Sequence, residues 1–264
     1  VSCLYGGSPY TADYEFAMQS RMKVLKSAFK RVGEDILSEV KEFVEENQWV
    51  EDYSLFRAVK DNFGGAQWRV WPEKYSDYKS CIKYKADFKN GMDFHKFLQY
   101  LFYTQWKNIK AYANKRNVEI VGDMPIYMAP DSCDVWAHTE IFQIDAESKR
   151  LKQVAGVPPD YFSEDGQLWG NPLYDWEKMQ EDGYKWWVDR IGFALSVFDT
   201  VRIDHFRGLA SYWAVPTDAK SAKEGHWEKG PGQKLFDAVA EKYEKASIIA
   251  EEMYNMFKDK IELI

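Results

Sequence analysis

The chain has 264 residues, of which 45% are hydrophobic and 17% aromatic, and its formal net charge is −7. This length suffices for one large domain with a substantial core, and the negative charge disfavours a nucleic-acid-binding surface, which would be basic. No apolar run reaches the length of a membrane span, so the sequence predicts a soluble protein. Aromatic residues in this abundance are typical either of a groove for a ring-shaped ligand or of helix interfaces filled by large side chains.

The cysteines and the N-terminus bear on the compartment. Cys3, Cys81 and Cys133 are sparse and form no C-x-x-C motif, which predicts reduced thiols in an intracellular protein. The first residues, V-S-C-L-Y-G-G-S-P-Y, show no signal peptide, and the missing initiator Met suggests that the chain has been cut or processed. We therefore expect a cytoplasmic protein.

The first part of the chain, residues 1–117, is predicted to be mostly helical. Apolar residues recur at helical spacing in G-M-D-F-H-K-F-L-Q-Y-L-F-Y-T-Q-W-K-N-I-K, and residues 52–63 form a second helix that Gly64-Gly65 ends. The pattern changes at V-E-I-V-G-D-M-P-I-Y, positions 118–127, a short apolar run bounded by Gly and Pro that indicates a strand.

Residues 118–264 alternate strands with helices. A loop rich in Pro, Gly and Asp is predicted as far as residue 174, then a helix over 175–198, the strand T-V-R-I-D, an intervening segment with a further helix, and the strand S-I-I-A-E-E. Such alternation of apolar runs with helices favours an α/β fold, whose parallel sheet is covered on both faces.

Acidic residues end the strands of this predicted sheet. Asp123, Asp204 and Glu251-Glu252 each come at the end of an apolar run. The carboxyl ends of parallel strands meet at one edge of a sheet, where α/β barrels place their active-site groups. One acid would be no more than a helix cap. Three in register favour a shared site over three separate caps.

The segment V-R-I-D-H-F-R-G, positions 201–208, sets an acid among basic groups. Side chains alternate along a strand, so Arg202 and Asp204 are predicted to share one face, and Ile203 and His205 the other. An adjacent cation would lower the pKa of Asp204 and suit it to act as a nucleophile, unless the pair is an ion pair that only fixes the fold.

Glu251 has no basic residue within three positions. Partial burial would then raise the pKa of Glu251 and suit it to act as a proton donor. Retaining glycosidases usually rely on two carboxyl groups whose pKa values are shifted apart.

The segment 154–176 has the composition of a sugar-binding loop. Sugars present apolar faces to aromatic rings and hydroxyls to amides and carboxylates. The segment interleaves both kinds of side chain: Tyr161, Phe162, Trp169, Asp160, Gln167 and Asn171. An irregular loop held to the core by its aromatic residues is the alternative.

Four motifs resemble the 4-α-glucanotransferases of glycoside hydrolase family 77, also called amylomaltases or disproportionating enzymes. They are V-R-I-D-H-F-R-G, G-V-P-P-D-Y-F-S-x-x-G-Q-L-W-G-N-P-L-Y-D-W, G-D-M-P-I-Y followed by D-V-W-A-H, and I-I-A-E-E. The resemblance runs from about residue 35 to residue 252. It implies a (β/α)8 TIM barrel, incomplete in this chain and carrying helical insertions within residues 1–117, with an active-site loop at 154–174. The implied activity is transfer of α-1,4-glucan segments from a maltodextrin donor to a sugar acceptor.

The resemblance also implies roles for single residues. Asp204 would be the nucleophile and Glu251 the acid/base, while sugar contacts would come from Arg202, Asp123, Gln167, Trp169, Asp160, Phe162, Ser8, Tyr10 and His205. The family needs no metal or organic cofactor, and His95, His138 and His226 are expected to be structural. Plant members act in plastids, so a plastid would replace the cytoplasm if the source is photosynthetic.

The chain departs from the family pattern at both ends. Members are far longer, with a first barrel strand before S-P-Y, A-E-D-L-G in place of A-E-E-M-Y, and a later H-D motif. We therefore expect a truncated enzyme or a fragment, whose exposed barrel edges would favour self-association. An α-glucan hydrolase and a non-catalytic protein that binds glucan or complements a partner are the alternatives.

Overall fold

The computed structural model describes residues 10–161 and 163–251. The first part of this range is helical, as the sequence predicts. Its helices are α1 (Tyr14–Phe29), α2 (Glu34–Glu46), α3 (Trp49–Asn62), α4 (Glu73–Ser76), α5 (Tyr78–Cys81) and α6 (Lys89–Asn114). After α3, Gly64 and Gly65 adopt positive φ angles of 61° and 84°, and the Gly65 N–H donates to the Lys60 carbonyl at 2.8 Å. The predicted glycine stop is thereby confirmed.

The chain divides into two compact units between Gln105 and Trp106, within α6. This division comes earlier than the boundary at residue 117 that the sequence favours, because the change from helical to strand pattern follows the end of α6. In the first unit, Val40, Phe94 and Phe97 form a buried cluster from α2 and α6, on which Phe29 of α1 packs. Phe94 and Phe97 are among the apolar residues that recur at helical spacing in the predicted helix.

The second unit contains strands and shorter helices. The strands are β1 (Val121–Met124), β2 (Gln153–Val157), β3 (Gln167–Pro172), β4 (Thr200–Ile203), β5 (Ser211–Pro216), β6 (His226–Lys229) and β7 (Ile248–Ala250). The helices are α7 (Cys133–Ala137), α8 (Trp176–Gln180), α9 (Lys185–Val197) and α10 (Gln233–Lys242). A parallel sheet has the order β1-β4-β7, and an antiparallel sheet has the order β3-β2-β5-β6.

Two local predictions in this unit are wrong. Residues 128–174 were expected to form a loop, but they contain β2 and β3, because the pairing with β5 that creates this sheet is a long-range contact without a clear local pattern. The helix expected over 175–198 is broken into α8 and α9. Gly183 and Tyr184 take positive φ angles of 71° and 58° there, which an α-helix cannot continue through.

The two faces of the parallel sheet differ in their burial. Val201 and Ile203 of β4 are buried on the face over which α9 packs, and burial of such a side chain contributes about 1.5–3 kcal/mol. On the opposite face, Val121 is 54% and Ile249 46% exposed. The expectation of a sheet covered on both faces is therefore wrong for the part of the chain that the structure describes, and the open face is the one that carries the charged residues. No helix among the described residues combines the length and apolarity needed to cross a membrane.

Candidate active site

The parallel register of β1, β4 and β7 brings the predicted acids together. Asp123 of β1 lies opposite Arg202 of β4, and Arg202 lies opposite Ile249 of β7. Asp204 directly follows β4 and Glu251 directly follows β7. The Asp204 N–H donates to the Met124 carbonyl at 2.9 Å, which continues the register past the strand end. All three carboxylates therefore lie at one edge of one sheet.

Arg202 is the centre of this acidic cluster. Its Nη1 donates to Asp123 Oδ1 at 2.6 Å, its Nη2 donates to Glu251 Oε1, and the same Nη2 lies 3.7 Å from Asp204 Oδ1. The hydrogen bond to Asp123 is the main reason why the pKa of Arg202 is raised. A single guanidinium thus contacts three carboxylates from three strands.

The Asp204 and Glu251 carboxyl groups are hydrogen-bonded to each other. This contact with Glu251, followed by burial, raises the pKa of Asp204 to about 6. The same contact, together with the backbone N–H of His205, lowers the pKa of Glu251. Two like charges this close share one proton rather than ionise independently.

These shifts are opposite to the prediction that Arg202 would lower the pKa of Asp204 and that burial would raise that of Glu251. The prediction failed because it considered neighbours in sequence only. Arg202 reaches across the sheet to Glu251 with a hydrogen bond and leaves Asp204 at 3.7 Å.

His205 joins the cluster through its backbone. Its φ angle is 53°, in the left-handed region, and its N–H donates to Glu251 Oε2 at 3.0 Å. The sequence placed His205 on the opposite face from Asp204 by strand alternation, but β4 has already ended at Ile203, so alternation no longer applies. Non-glycine residues with such φ angles are uncommon and often occur at functional sites.

The structure also brings Trp169 and Gln167 to this edge. The Trp169 ring packs edge-to-face on the His205 ring with centroids 4.9 Å apart, and its Nε1 donates to Gln167 Oε1 at 3.0 Å. Both residues lie on β3, and Trp169 is 37% exposed. An accessible indole beside a carboxylate cluster suits stacking against a sugar face.

The structure also describes two other residues that were predicted to contact sugar. Asp160 accepts the Ser163 N–H at 2.8 Å in a turn, while Tyr10 is 94% exposed in the first compact unit. Ser8 and Phe162 lie outside the described residues.

The histidines expected to be structural each lie beside an acid. The atom pairs are His95 Nε2–Asp61 Oδ2 at 2.8 Å, His138 Nδ1–Glu140 Oε1 at 3.8 Å, and His226 Nε2–Glu228 Oε1 at 3.1 Å.

Sequence reasoning missed two residues that shape the site. Tyr127 is buried and packs edge-to-face on Trp169, with ring centroids 6.2 Å apart. Gly208 lies where a Cβ atom would come within 2.7 Å of Ile126 Cδ1 and 3.0 Å of His205 Cδ2. The position of Gly208 at the end of V-R-I-D-H-F-R-G was the available signal: a close approach requires a residue without a side chain.

A pair of proton-sharing carboxylates at the carboxyl ends of parallel strands, with an aromatic residue beside them, defines a class of protein. It is the arrangement of α/β proteins that process glycosidic bonds. Comparison with known proteins identifies the family within that class. The profile of Glyco_hydro_77, described as 4-alpha-glucanotransferase, matches residues 6–262, and the chain belongs to this family.

The chain is also similar to individual curated proteins and to a solved structure. The chain is 42% identical over 261 residues to the 4-alpha-glucanotransferase of Clostridium butyricum, covering 98% of this chain and 54% of the relative. It is 43% identical over 220 residues to the chloroplastic/amyloplastic enzyme of Solanum tuberosum, covering 82% and 38% respectively. Amylomaltase from Streptococcus agalactiae in complex with acarbose superposes with a TM-score of 0.89 at 37% identity, covering 94% of this chain and 51% of that one.

A more distant structure shares the fold alone. Amylomaltase from Corynebacterium glutamicum has a TM-score of 0.72 at 19% identity, covering 90% of this chain and 32% of that one. The chain spans about half the length of the Clostridium butyricum relative and of the Streptococcus agalactiae structure.

Proposed function

We propose that this chain carries the central part of the active site of a 4-α-glucanotransferase built on a (β/α)8 barrel. The observation that carries the proposal is the contact between the Asp204 and Glu251 carboxyl groups beside Arg202. Retaining glycosidases hold their two carboxyl groups only about 5–5.5 Å apart, whereas inverting enzymes leave room for a water molecule. A close pair therefore supports a retaining reaction.

The first half-reaction would form a covalent intermediate. An Asp204 carboxylate oxygen attacks the anomeric carbon of the donor glucan, and the bond from that carbon to the glycosidic oxygen breaks. Glu251 gives its proton to the departing oxygen, which leaves as a free 4-hydroxyl on the shortened chain. The products are a glucanosyl ester of Asp204 and a Glu251 carboxylate.

The second half-reaction would reverse these roles. The Glu251 carboxylate takes the proton of the acceptor's 4-hydroxyl while that oxygen attacks the anomeric carbon, and the ester bond to Asp204 breaks. Two inversions restore the α configuration, and each carboxyl group returns to its starting protonation state.

The shared proton has to lie on Glu251 when the donor reacts. A sugar entering between the two carboxyl groups separates them and ends the contact that raises the pKa of Asp204. Positive charge developing at the anomeric carbon then favours an ionised Asp204 and leaves the proton with Glu251.

The remaining predicted residues would hold sugar. Asp123, Arg202 and His205 surround the carboxylates, and Trp169 and Gln167 present an indole and an amide to the same edge. A sugar acceptor must compete with water for the intermediate, so we assign exclusion of water to the segment 154–174, which includes Asp160 and Phe162. Ser8 and Tyr10 complete the proposed set. The proposed compartment is the cytoplasm, or the plastid in a photosynthetic source.

The test is incubation of the chain with maltotriose and separation of the products by length. Glucose together with a ladder of longer maltodextrins is the expected result. Asp204→Asn should remove the ladder, because an amide is a poor nucleophile. Asp237→Asn, which changes an exposed carboxylate of α10 that accepts from Gln233, should keep it. Glucose without longer chains would indicate hydrolysis. Maltodextrin binding without any product would indicate a binding protein.

A further inference from the structure

The loop that follows β1 is fixed by donors from two other segments. The Tyr174 hydroxyl donates to the Ile126 carbonyl at 2.7 Å, Arg190 Nη1 donates to the same carbonyl at 3.3 Å, and Arg190 Nη2 donates to the Pro125 carbonyl. The Arg190 guanidinium also lies 4.9 Å from the ring centroid of Trp187. Pro125 and Ile126 therefore have little freedom to move, and the direction of the next residue, Tyr127, is set.

Tyr127 connects this fixed loop to the carboxylate edge. Its ring stacks on Tyr174 at 6.1 Å with an interplanar angle of 26°, and it meets Trp169 edge-to-face at 6.2 Å. Trp169 in turn contacts His205 at 4.9 Å, and the His205 N–H is hydrogen-bonded to Glu251. One continuous row of contacts thus runs from Tyr174 through Tyr127 and Trp169 to the cluster.

The loop after β1 also packs against Gly208, three residues after His205. A Cβ atom on Gly208 would lie 2.7 Å from Ile126 Cδ1, 3.0 Å from His205 Cδ2 and 3.4 Å from the Tyr127 hydroxyl, so these side chains leave no room for one. Ile126, Tyr127 and His205 therefore all pack around Gly208.

We propose that Tyr127 is a positioning residue, whose buried ring sets the orientation of Trp169 and His205 at the sugar-binding edge. This inference rests on the proposed function for its catalytic consequence. Trp169 is partly exposed, so without the Tyr127 ring its indole loses the support on one side and can rotate away from His205. A misplaced stacking residue weakens sugar binding and can lower kcat/KM by on the order of 10–100-fold.

The chain offers a matched control. Phe142 is buried like Tyr127 and stacks on the same Tyr174 ring at 5.2 Å, and its other ring neighbour is Trp186 rather than Trp169. Tyr127→Leu and Phe142→Leu both remove a ring from the Tyr174 cluster and should lower stability alike. Only Tyr127→Leu should raise KM for maltotriose more than it changes kcat. Tyr127→Phe, which keeps the ring, should restore the wild-type KM.

Proton NMR tests the positioning role of Tyr127 without depending on catalytic activity. The chain has four histidines, and the imidazole proton signal of His205 can be assigned by its loss in His205→Gln. Because His205 lies against the Trp169 ring, its signal should be displaced by the ring current, and the displacement should shrink in Tyr127→Leu but persist in Phe142→Leu and Tyr127→Phe.

Failure of the proposed function and failure of the positioning role give different results. A wild-type chain that neither binds nor transfers maltodextrin would overturn the proposed function, and the His205 signal would still test the positioning role. An unchanged His205 signal in Tyr127→Leu, or an equal change in Phe142→Leu, would overturn the positioning role whatever the activity.

Discussion

The helical unit and the α/β unit each bring titratable groups into contact, with different results. In the helical unit, Asp61 pairs with His95, which is 3% exposed between α3 and α6, and burial lowers the pKa of this histidine. In the α/β unit, Asp204 pairs with Glu251, an acid with an acid, at a partly exposed strand edge. A hydrogen bond between unlike groups stabilises a fold. Carboxylates gathered at one sheet edge repel one another, and such an arrangement is typical of functional sites.

The largest expected effect follows from changing Glu251, the proposed acid/base. Glu251→Gln should slow transfer from maltotriose by about 10²–10⁴-fold, because no side chain then protonates the leaving oxygen. Maltosyl fluoride, whose leaving group needs no proton, should restore the first half-reaction. The measurement is the rate of formation of products from each donor, with Glu177→Gln on the exposed first turn of α8 as control. An unchanged rate with maltotriose would assign the proton transfer to another acid.

Removal of the central cation should make folding stability depend on pH. Without Arg202 nothing offsets the repulsion of Asp204 by the neighbouring carboxylates, so the pKa of Asp204 in the folded chain rises further above that in the unfolded chain. Relative to wild type, the stability of the variant is then retained at low pH and lost as the pH rises from about 6, the pKa of Asp204 in the wild-type fold, toward the higher value in the variant. Arg202→Met should therefore show a Tm that falls relative to wild type from pH 5 to pH 8 in thermal unfolding.

The control for that variant keeps the charge. Arg202→Lys should show the smaller loss of Tm at pH 8, since an ammonium still screens the acids but cannot contact three of them through a planar fork. An equal loss of Tm at pH 8 in Arg202→Met and Arg202→Lys would mean that the positive charge of Arg202 does not stabilise the cluster.

The pair in the helical unit should respond to pH in the opposite direction. Because burial lowers the pKa of His95, its contribution to stability is present above the ordinary range of a histidine and is lost as the pH falls below it. The free energy of unfolding from urea titrations should decrease from pH 7 to pH 5. A His95→Gln variant should lose part of that pH dependence. A slope unchanged in this variant would contradict the role given to His95.

The smallest effects should differ in sign between the two pairs. Asp61→Asn weakens the hydrogen bond to a buried histidine and should lower the free energy of unfolding by about 1–2 kcal/mol. Asp204→Asn removes one of several like charges and should raise stability at pH 8 by less than about 1 kcal/mol. Chemical denaturation of both variants at pH 8 tests the comparison directly. Destabilisation of the same size in both would remove the distinction between a structural and a functional pair.

The sequence predicted those parts of the site that depend on local order. Asp123, Asp204 and Glu251 each end a recognisable apolar run, so their meeting at one sheet edge followed from strand parallelism alone. The helices of the first unit and the glycine stop after α3 likewise followed from periodicity and turn chemistry.

The rest depends on contacts between distant segments. The bond from Arg202 to Glu251 joins residues on neighbouring strands, and it reversed the expected pKa shifts of both carboxylates. The strands β2 and β3 exist through their pairing with β5, and Tyr127 matters through Trp169, which lies on another sheet. None of these contacts leaves a periodic signal in the chain.

The position of Arg202 on the middle strand has a consequence for how the sheet assembles. Asp123 and Glu251 come from the strands on either side, and both bonds require the native alignment of β1, β4 and β7. A shift of β4 by one residue would turn Arg202 toward the apolar layer under α9 and leave the acids on both neighbours without a counterion. The charges that we assign to catalysis thus disfavour a one-residue slip of the central strand and help to specify its native register.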